Sequence, residues 1–237
     1  MKDITLIIPA KNESESLPFV LKELKSFEYE IFIILEKSDT KTIASIKEYN
    51  VNLIYQTNRG YGDALTLGIN SVKTKFFVIF NADGSFNPLE IKDLLNKLTQ
   101  ENNDIVFASR YEKDNNSGSD DDTILTLVGN KIFSFMGNIL FSLPLSDILY
   151  TFVIGKTELV KKLNLSSKDF RFCIELPIKA IDNKLKICSF ASYERKRIAG
   201  VKKVNEIKDG FLILFSIINF FYYLKIKKTF LNLIRKW

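Results

Sequence analysis

The chain of 237 residues contains no histidine, and this absence restricts its chemistry more than any other feature of its composition. Neither a histidine general base nor a zinc site built from Cys and His is expected. The two cysteines, Cys173 and Cys188, are too few for a disulfide framework and fit a reducing compartment. Any catalysis must therefore use carboxylates, amines, guanidinium groups, hydroxyls or a metal held by oxygen ligands.

Acidic residues are absent after Asp209, so the excess of positive charge is concentrated at the end of the chain. The formal net charge is +6 at pH 7, and its uneven distribution indicates an anionic partner. The cations closest to the end are Lys225, Lys227, Lys228, Arg235 and Lys236.

Apolar runs of the length that a secretion signal or a spanning helix needs are also scarce. The first run, ITLIIP, is too short for a signal core, so we expect a cytoplasmic protein. The block 211–224, FLILFSIINFFYYL, has fourteen residues, whereas a spanning helix needs roughly 20. The stretch 123–146 carries only Lys131 as a charge, and it predicts either a buried pair of helices or a face that meets acyl chains. Its glycines and Pro144 argue against one spanning helix.

Short apolar runs alternate with segments of helical spacing along the first half of the chain. The predicted strands are ITLIIP, EIFIIL, VNLIYQ, KFFVIF and NDIVFAS. The predicted helices between them are SLPFVLKELKSF, KTIASIKEY, NRGYGDALTLGINSV and PLEIKDLLNKL, the last with Pro88 near its first turn. This alternation predicts one α/β domain, with a mostly parallel sheet covered by helices on both faces. Ligands of such sheets bind at the carboxyl ends of the strands.

The stretch FVIFNADGSFNP, residues 77–88, changes from a buried strand to polar residues at the predicted carboxyl end of that strand. Asp83, helped by Asn81 and Ser85, offers hard oxygen ligands to Mg²⁺ or Mn²⁺, which in turn would bridge a diphosphate. A plain turn is the alternative, because Asn, Asp and Gly favour turn geometry.

Four segments occur in an order and at a spacing that resemble a known family: IIPAKNESESLPFVLKEL, NRGYGDALTLGI, FVIFNADGSFNP and ASRY. The chain resembles the family 2 glycosyltransferases of GT-A fold, particularly the dolichol-phosphate mannosyltransferases and other polyprenyl-phosphate sugar transferases, from about Ile4 to about Gly210. The resemblance implies a GT-A domain over 1–210, with a donor half to about residue 110 and an acceptor half over 111–210. An apolar and basic tail follows at 211–237.

The resemblance implies transfer of a sugar from a nucleotide-sugar donor to a polyprenyl phosphate, with inversion and with Mg²⁺ or Mn²⁺, and no nucleic-acid partner. A phosphate monoester, with a second pKa of about 6, is largely ionised near neutral pH, so such an acceptor needs no histidine base. Two alternatives stay open: another lipid-linked or cell-envelope saccharide acceptor, and a binding module that has kept the fold but lost turnover.

The family pattern places the donor and the metal on the first half of the chain. The implied nucleotide-sugar-binding residues are Pro9, Ala10, Asn12, Glu13, Glu36, Arg59, Asp63, Asn81, Ala82, Asp83 and Arg110, and the implied metal ligands are Asp83, Asn81 and Ser85. Two departures are evident: LEKSDT replaces the usual paired aspartates after the second strand, and Asn81 replaces an aspartate, which removes one negative charge. A first-turn carboxylate stabilised by the helix dipole is the alternative for Asp63. A dinucleotide loop is disfavoured for NRGYGDALTLG, since Leu65 stands where a third glycine is needed.

The segments LSDILYTFVIGKTELV, FRFCIEL and YERKRIAGVKK resemble the acceptor side of the family's cleft. They imply the catalytic residues Asp147, Glu175 and Arg197 and the acceptor-phosphate ligands Arg195, Arg197 and Lys203. A helix cap or salt bridge is the alternative for Asp147, and solvated surface is the alternative for the basic run. The polar run EKDNNSGSDDDT predicts a mobile connecting loop.

The tail, with its aromatic residues, lysines and final Trp237, predicts a peripheral location on the inner face of the cell membrane. Alternatives are a C-terminal helix packed on the domain or on a second subunit, and one short span.

Overall fold

The computed structural model describes residues 3–200 and 203–227, with side chains as far as residue 225. Part of the predicted tail, including Lys228, Arg235, Lys236 and Trp237, lies outside the described residues.

The described strands form one large sheet and one small sheet. The large sheet has seven strands in the order β3-β2-β1-β4-β7-β5-β8, and the small sheet pairs β6 with β9. Their bounds are β1 (Ile4–Pro9), β2 (Glu30–Leu35), β3 (Asn52–Tyr55), β4 (Phe76–Ile79), β5 (Ile105–Ser109), β6 (Gly118–Ser119), β7 (Val153–Lys156), β8 (Ile187–Ala191) and β9 (Tyr193–Glu194). Pairing in the large sheet is parallel except where β7 meets β4 and β5. The predicted mostly parallel sheet is confirmed, and β1 to β5 are the five predicted strands.

Helices lie between most of the strands, as the alternating pattern predicts. Their bounds are α1 (Leu17–Leu24), α2 (Thr40–Ser45), α3 (Tyr61–Ser71), α4 (Glu90–Gln100), α5 (Ile124–Phe141), α6 (Thr157–Lys161), α7 (Phe172–Asp182) and α8 (Glu206–Phe221). A 3₁₀ turn, Lys25–Phe27, follows α1, and a π-helical turn, Tyr222–Lys227, continues α8.

Both faces of the sheet are buried, which explains the continuous apolar runs of its strands. Successive side chains of β1 point to opposite faces: Leu6 and Ile8 pack into the cluster that contains α1 and α4, whereas Ile7 packs into the cluster that contains α3 and α7. The sheet is thus a rigid layer whose carboxyl edge holds the polar loops in place.

Two sequence expectations are corrected. The stretch 123–146 contains one helix, α5, instead of a pair. The helix begins after the capping box of Thr123 and Thr126. Its C-cap, Ser142, has left-handed backbone geometry (φ 58°) and lies two residues before Pro144. The acidic run before it is also more than a connector. Its strand β6 pairs with β9, and Asp121 and Asp122 bond to arginines of the domain.

Close packing of α3 on the sheet generates a first prediction. A Cβ on Gly68 would lie 2.4 Å from Ile7 Cγ2, so Gly68→Ala should lower the free energy of unfolding by about 1–3 kcal/mol. In α5, a Cβ on Gly129 would meet nothing within 4 Å, so the matched variant Gly129→Ala should raise that free energy by about 0.5–1 kcal/mol. Denaturant unfolding of both variants measures the difference; equal effects would contradict this packing.

Candidate active site

A cleft of about 640 Å³ opens at the carboxyl edge of the large sheet. It lies where ligands of open α/β sheets bind, because the loops that follow β1, β2, β4 and β5 all reach this edge. The predicted site residues that line it are Pro9, Ala10, Glu13, Glu36, Asn81, Ala82, Asp83, Arg110, Arg197 and Lys203.

The loop after β4 holds Asp83 in one orientation. Asp83 Oδ1 accepts hydrogen bonds from the backbone N–H of Ser85 (3.0 Å) and from Ser85 Oγ (2.7 Å). The amide nitrogen of Asn81 donates to Ser85 Oγ (3.3 Å). Ser85 is buried and contacts Asp83 from behind, so it orients the carboxylate and is not itself a cleft residue. This geometry gives Ser85 a positioning role, and its role as a metal ligand stays a prediction.

Neighbouring segments hold this loop from below and from the side. Beneath it, Phe86 stacks on Phe152, with 4.7 Å between ring centroids. At its side, the N–H of Ile198 donates to the carbonyl of Asp83 (2.8 Å), and a Cβ on Gly84 (φ +84°) would lie 2.4 Å from Ile198 Cδ1. Glycine is thus needed here both for its positive φ and for the close approach.

Oxygen donors around Asp83 suit a divalent cation that receives most of its ligands from a substrate. Among the described residues, no group of three or more His, Cys, Asp and Glu side chains is arranged to hold a metal. Asp83 Oδ2 faces Arg197 at 3.9 Å, while Oδ1 is held by Ser85. Mg²⁺ often binds through one or two carboxylates together with phosphates and water, and Asp83 with the Asn81 amide oxygen fits that pattern.

The nucleotide end of the cleft carries Glu36, which lies between two cations. Lys11 Nζ is 3.3 Å from Glu36 Oε1, and Arg59 Nε is 3.4 Å from Glu36 Oε2. Arg59 contacts the cleft only through this carboxylate.

Two other predicted residues lie outside the lining of the cleft. The N–H of Asn12 donates to Asp39 Oδ2 (2.7 Å), and Asp63, in the first turn of α3, accepts from Asn58 Nδ2 (3.2 Å). For Asp63, this geometry favours the helix-dipole alternative.

Arg110, at the end of β5, is buried among three carboxylates. Its Nε donates to Asp147 Oδ2 (2.7 Å), and its Nη1 donates to Glu194 Oε2 (3.0 Å) and Asp122 Oδ1 (3.1 Å). Its guanidinium carbon lies 4.6 Å from the ring centroid of Tyr150. Burial alone would lower the pKa of Arg110, but Asp147 and Glu194 raise it, so the group stays charged. Arg110 lines the cleft, yet its donors are committed to the protein and not to a donor sugar.

Asp147 and Glu175 do not line the cleft, although their predicted role on the acceptor side needs them there, and for Asp147 the geometry favours the salt-bridge alternative. The Asp147 side chain has 0% exposure and forms the ion pair with Arg110. Glu175, also buried, accepts from the backbone N–H of Ser166 (2.9 Å) and Ser167 (2.7 Å) and pairs with Lys179 (2.7 Å). Both carboxylates hold chain segments in place.

The three predicted phosphate ligands separate into two groups. Arg195 turns away from the cleft and forms a bidentate pair with Glu23 of α1 (2.7 and 3.0 Å). Arg197 and Lys203 line the cleft, and each is paired there, Arg197 with Asp121 and Lys203 with Glu13. Strand alternation would place Arg195 and Arg197, two positions apart, on the same side, so their separation follows from their partners, Glu23 of α1 and Asp121.

Several cleft residues were missed by sequence reasoning. Tyr61 stacks on Phe170 (4.9 Å between centroids), and its hydroxyl bonds to Thr151 Oγ1 (2.7 Å). Burial raises the pKa of Tyr61, which keeps the phenol neutral. Asp121 and Glu194 were missed as well, since neither lies in a segment with a recognised donor motif. An aromatic residue between Gly60 and Gly62 was the one local signal for Tyr61.

The other end of the cleft combines apolar side chains with polar ones, among them Asn130 and Lys208. It runs between α5 and α8, where Leu125, Phe133, Leu149 and Ile213 contribute to its walls. One continuous cleft therefore joins the polar loop of Asp83 to a channel with partly apolar walls.

The sheet order and the cleft at its carboxyl edge give the protein the GT-A architecture of glycosyltransferases. The chain belongs to glycosyl transferase family 2, whose model matches residues 5–163. The predicted enzyme class is thereby confirmed.

Solved structures share the fold at low identity. The crystal structure of glucosyl-3-phosphoglycerate synthase from Mycobacterium tuberculosis with Mn²⁺, UDP and glucosyl-3-phosphoglycerate has a TM-score of 0.72 and 15% identity, covering 92% of this chain and 80% of that chain. Among sequence relatives, an uncharacterized protein of Methanocaldococcus jannaschii is 24% identical over 223 residues, 91% of each chain. An uncharacterized glycosyltransferase of M. tuberculosis strain H37Rv is 29% identical over 97 residues, which are 40% of this chain and 43% of that relative.

The burial of the Arg110–Asp147 pair leads to a stability prediction. Asp147→Asn removes a negative charge that balances the buried guanidinium of Arg110. The free energy of unfolding should therefore fall by about 3 kcal/mol. The matched variant Glu101→Gln removes an exposed ion pair with Lys97 and should leave the free energy of unfolding nearly unchanged. Denaturant titrations test this, and similar effects of the two variants would refute a structural role for Asp147.

Proposed function

We propose that this enzyme transfers a sugar from a nucleotide sugar to the phosphate of a polyprenyl lipid, with the help of a divalent cation. The observation that carries the proposal is the single cleft with two unlike ends. One end contains Asp83, Glu36 and Arg197, whereas the other end, between α5 and α8, adds the large apolar side chains of Leu125, Phe133, Leu149 and Ile213 to its polar residues.

The polar end suits the nucleotide diphosphate. The related synthase structures contain UDP and Mn²⁺, which supports a nucleoside diphosphate and a metal beside Asp83 here. A cation at Asp83 and Asn81 would neutralise charge that develops on the leaving diphosphate. Arg197, 3.9 Å from Asp83, lies where it can stabilise the same charge.

The acceptor phosphate supplies its own nucleophile. Its ionised oxygen attacks the anomeric carbon, a new carbon–oxygen bond forms, and the bond to the diphosphate breaks with its electron pair on the leaving group. Attack from the opposite face inverts the anomeric centre. No proton has to be removed from the nucleophile, because a phosphate monoester is largely ionised above its second pKa of about 6. This agrees with a chain that lacks histidine.

The lipid part of the acceptor is supported by the channel walls. Phe133 and Leu149 line its sides, and phosphoglyceric acid, which is bound in a similar synthase structure, is small and polar by contrast. A channel with partly apolar walls that leads to a phosphate site matches an isoprenoid chain with a charged head.

A second candidate is a binding module without turnover. It is favoured by Asn81 in place of an acid and by Asp147 and Glu175, which are committed to structural ion pairs. The two candidates differ in product formation and not in nucleotide binding.

The deciding experiment is a turnover assay with purified protein, a short-chain polyprenyl phosphate, Mg²⁺ or Mn²⁺ and a panel of nucleotide sugars. We expect a sugar-phosphate-lipid product, with kcat/KM lower by on the order of 10²-fold in Asp83→Ala. Asp93→Ala, which removes an exposed carboxylate of α4, is the control and should match the wild type. Product with 3-phosphoglycerate instead of the lipid would overturn the lipid acceptor, and no product with any donor would favour the binding module.

We propose, further, that α5 and α8 lie on the inner face of the cell membrane. Each carries an exposed apolar stripe at the same spacing: Ile124, Val128, Ile132, Phe135 and Ile139 on α5, and Ile207, Phe211, Phe215 and Ile218 on α8, continued by Tyr222 of the π-helical turn. By length and composition, the described segments Ile124–Phe141 and Glu206–Lys225 could each cross a membrane. Their opposite faces pack on the domain, however, as buried Gly137 and Ile217 show, so a position in the interface is the better match.

Vesicle sedimentation tests the membrane proposal. Phe211→Ser with Phe215→Ser should weaken binding to vesicles rich in phosphatidylglycerol by roughly tenfold or more, because two large apolar side chains no longer enter the lipid. Phe19→Ser, which removes an equally exposed phenylalanine from α1, should bind as the wild type does. Unchanged vesicle binding in the double variant would count against this membrane face. So would a wild-type protein that forms a dimer without binding vesicles, if the double variant disrupts that dimer.

A further inference from the structure

Arg197 forms an ion pair with a carboxylate of the protein, Asp121, at the point where a substrate phosphate should bind. Its Nη2 is 2.5 Å from Asp121 Oδ2, and its Nε donates to Asp121 Oδ1 at 3.2 Å, which is a bidentate arrangement. Carboxylate and phosphate oxygens use the same fork of guanidinium donors. We propose that Asp121 is a resident counter-ion of the phosphate site, and that a phosphate of the substrate binds Arg197 by displacing it. The inference rests on the proposed function in that it takes the incoming group to be a substrate phosphate.

The position of Arg197 supports this exchange. Its backbone segment is fastened to the Asp83 loop, since the N–H of Arg195 donates to Ser85 O (2.9 Å) and the N–H of Ile198 donates to Asp83 O (2.8 Å). Its Nη1 lies 3.9 Å from Asp83 Oδ2. The guanidinium is therefore already in place beside the carboxylate that would hold the metal, and only its anion has to change.

The loop of Asp121 can release this one contact without coming apart. Strand β6 pairs with β9, and the N–H of Asp120 donates to Glu194 O (2.9 Å). On either side of Asp121, Asp120 accepts from the Tyr193 hydroxyl (2.7 Å) and Asp122 accepts from Arg110 (3.1 Å). Asp121 is thus the member of the three-aspartate run whose partner faces the Asp83 loop, while its neighbours keep the backbone anchored.

Solvent access makes displacement feasible at modest cost. The side chains of Arg197 and Asp121 are 21% and 16% exposed, whereas the Asp147 side chain, which pairs with Arg110, is fully buried. A partly exposed ion pair contributes far less than a buried one, so a doubly charged phosphate can compete with one carboxylate.

Removal of the carboxylate charge should strengthen phosphate binding. We expect Asp121→Asn to lower the Kd for inorganic pyrophosphate, or for farnesyl monophosphate, by about three- to tenfold in calorimetric titrations with Mg²⁺. Tightening for pyrophosphate alone would assign the site to the donor diphosphate, and tightening for farnesyl monophosphate alone would assign it to the acceptor. Asp120→Asn, on the same loop but paired with Tyr193, is the matched control and should leave both constants unchanged.

A second background separates the counter-ion role from a general effect of charge. In Arg197→Gln, the additional change Asp121→Asn should produce no further tightening, because the paired cation is gone. Equal tightening in both backgrounds, no change or weaker binding in Asp121→Asn, or no binding of either probe to any variant would overturn the proposal. Sugar transfer is measured separately: tightening without any transferase product would sustain this inference while the proposed function fails.

Discussion

The buried cluster around Arg110 is the interaction on which the geometry of the cleft depends. One guanidinium joins the end of β5, the segment that contains Asp147, the loop of Asp122 and strand β9 at Glu194. Burial raises the pKa of Glu194, so the carboxylate is held in a costly environment for which Arg110 compensates. Since the Asp122 loop leads directly into α5, and β9 leads into the segment of Arg197, this cluster positions both the apolar and the polar walls of the cleft.

A chain without histidine distributes its chemistry differently from enzymes that rely on a general base. Here the carboxylates are of two kinds. Asp83 and Glu36 face the cleft beside cations that also line or border it, whereas Asp147 and Glu175 are buried and hydrogen-bonded within the protein. The cations show the same division: Arg197 and Lys203 face the cleft, and Arg110 and Arg195 connect segments. Electrostatic stabilisation by groups fixed in advance is the form of catalysis that such an arrangement supports.

Much of the fold could be predicted from the sequence, because the short apolar runs of β1 to β5 alternate with segments of helical spacing. Strand β7 was missed: it is a four-residue strand that enters the sheet antiparallel between β4 and β5, and nothing local distinguishes it from a buried loop. The exposed apolar stripe of α5 was half anticipated, as the stretch was assigned either to a core or to a lipid-facing surface. The predicted residues at strand ends line the cleft at the edge of the sheet, whereas Asp147 and Glu175, which were also assigned to the cleft, have buried side chains.

The sequence by itself determined the alternation of strands and helices, the polar loop at the end of β4, the absence of an imidazole base and the family to which the chain belongs, since each of these depends on local pattern or composition. The tertiary structure alone decided which charged side chains face the cleft and which are buried in ion pairs within the protein. An aspartate has the same sequence signature whether it faces solvent, as Asp83 partly does, or a buried arginine, as Asp147 does. Its role depends on what long-range packing brings within about 3–4 Å, the range in which one charge controls another.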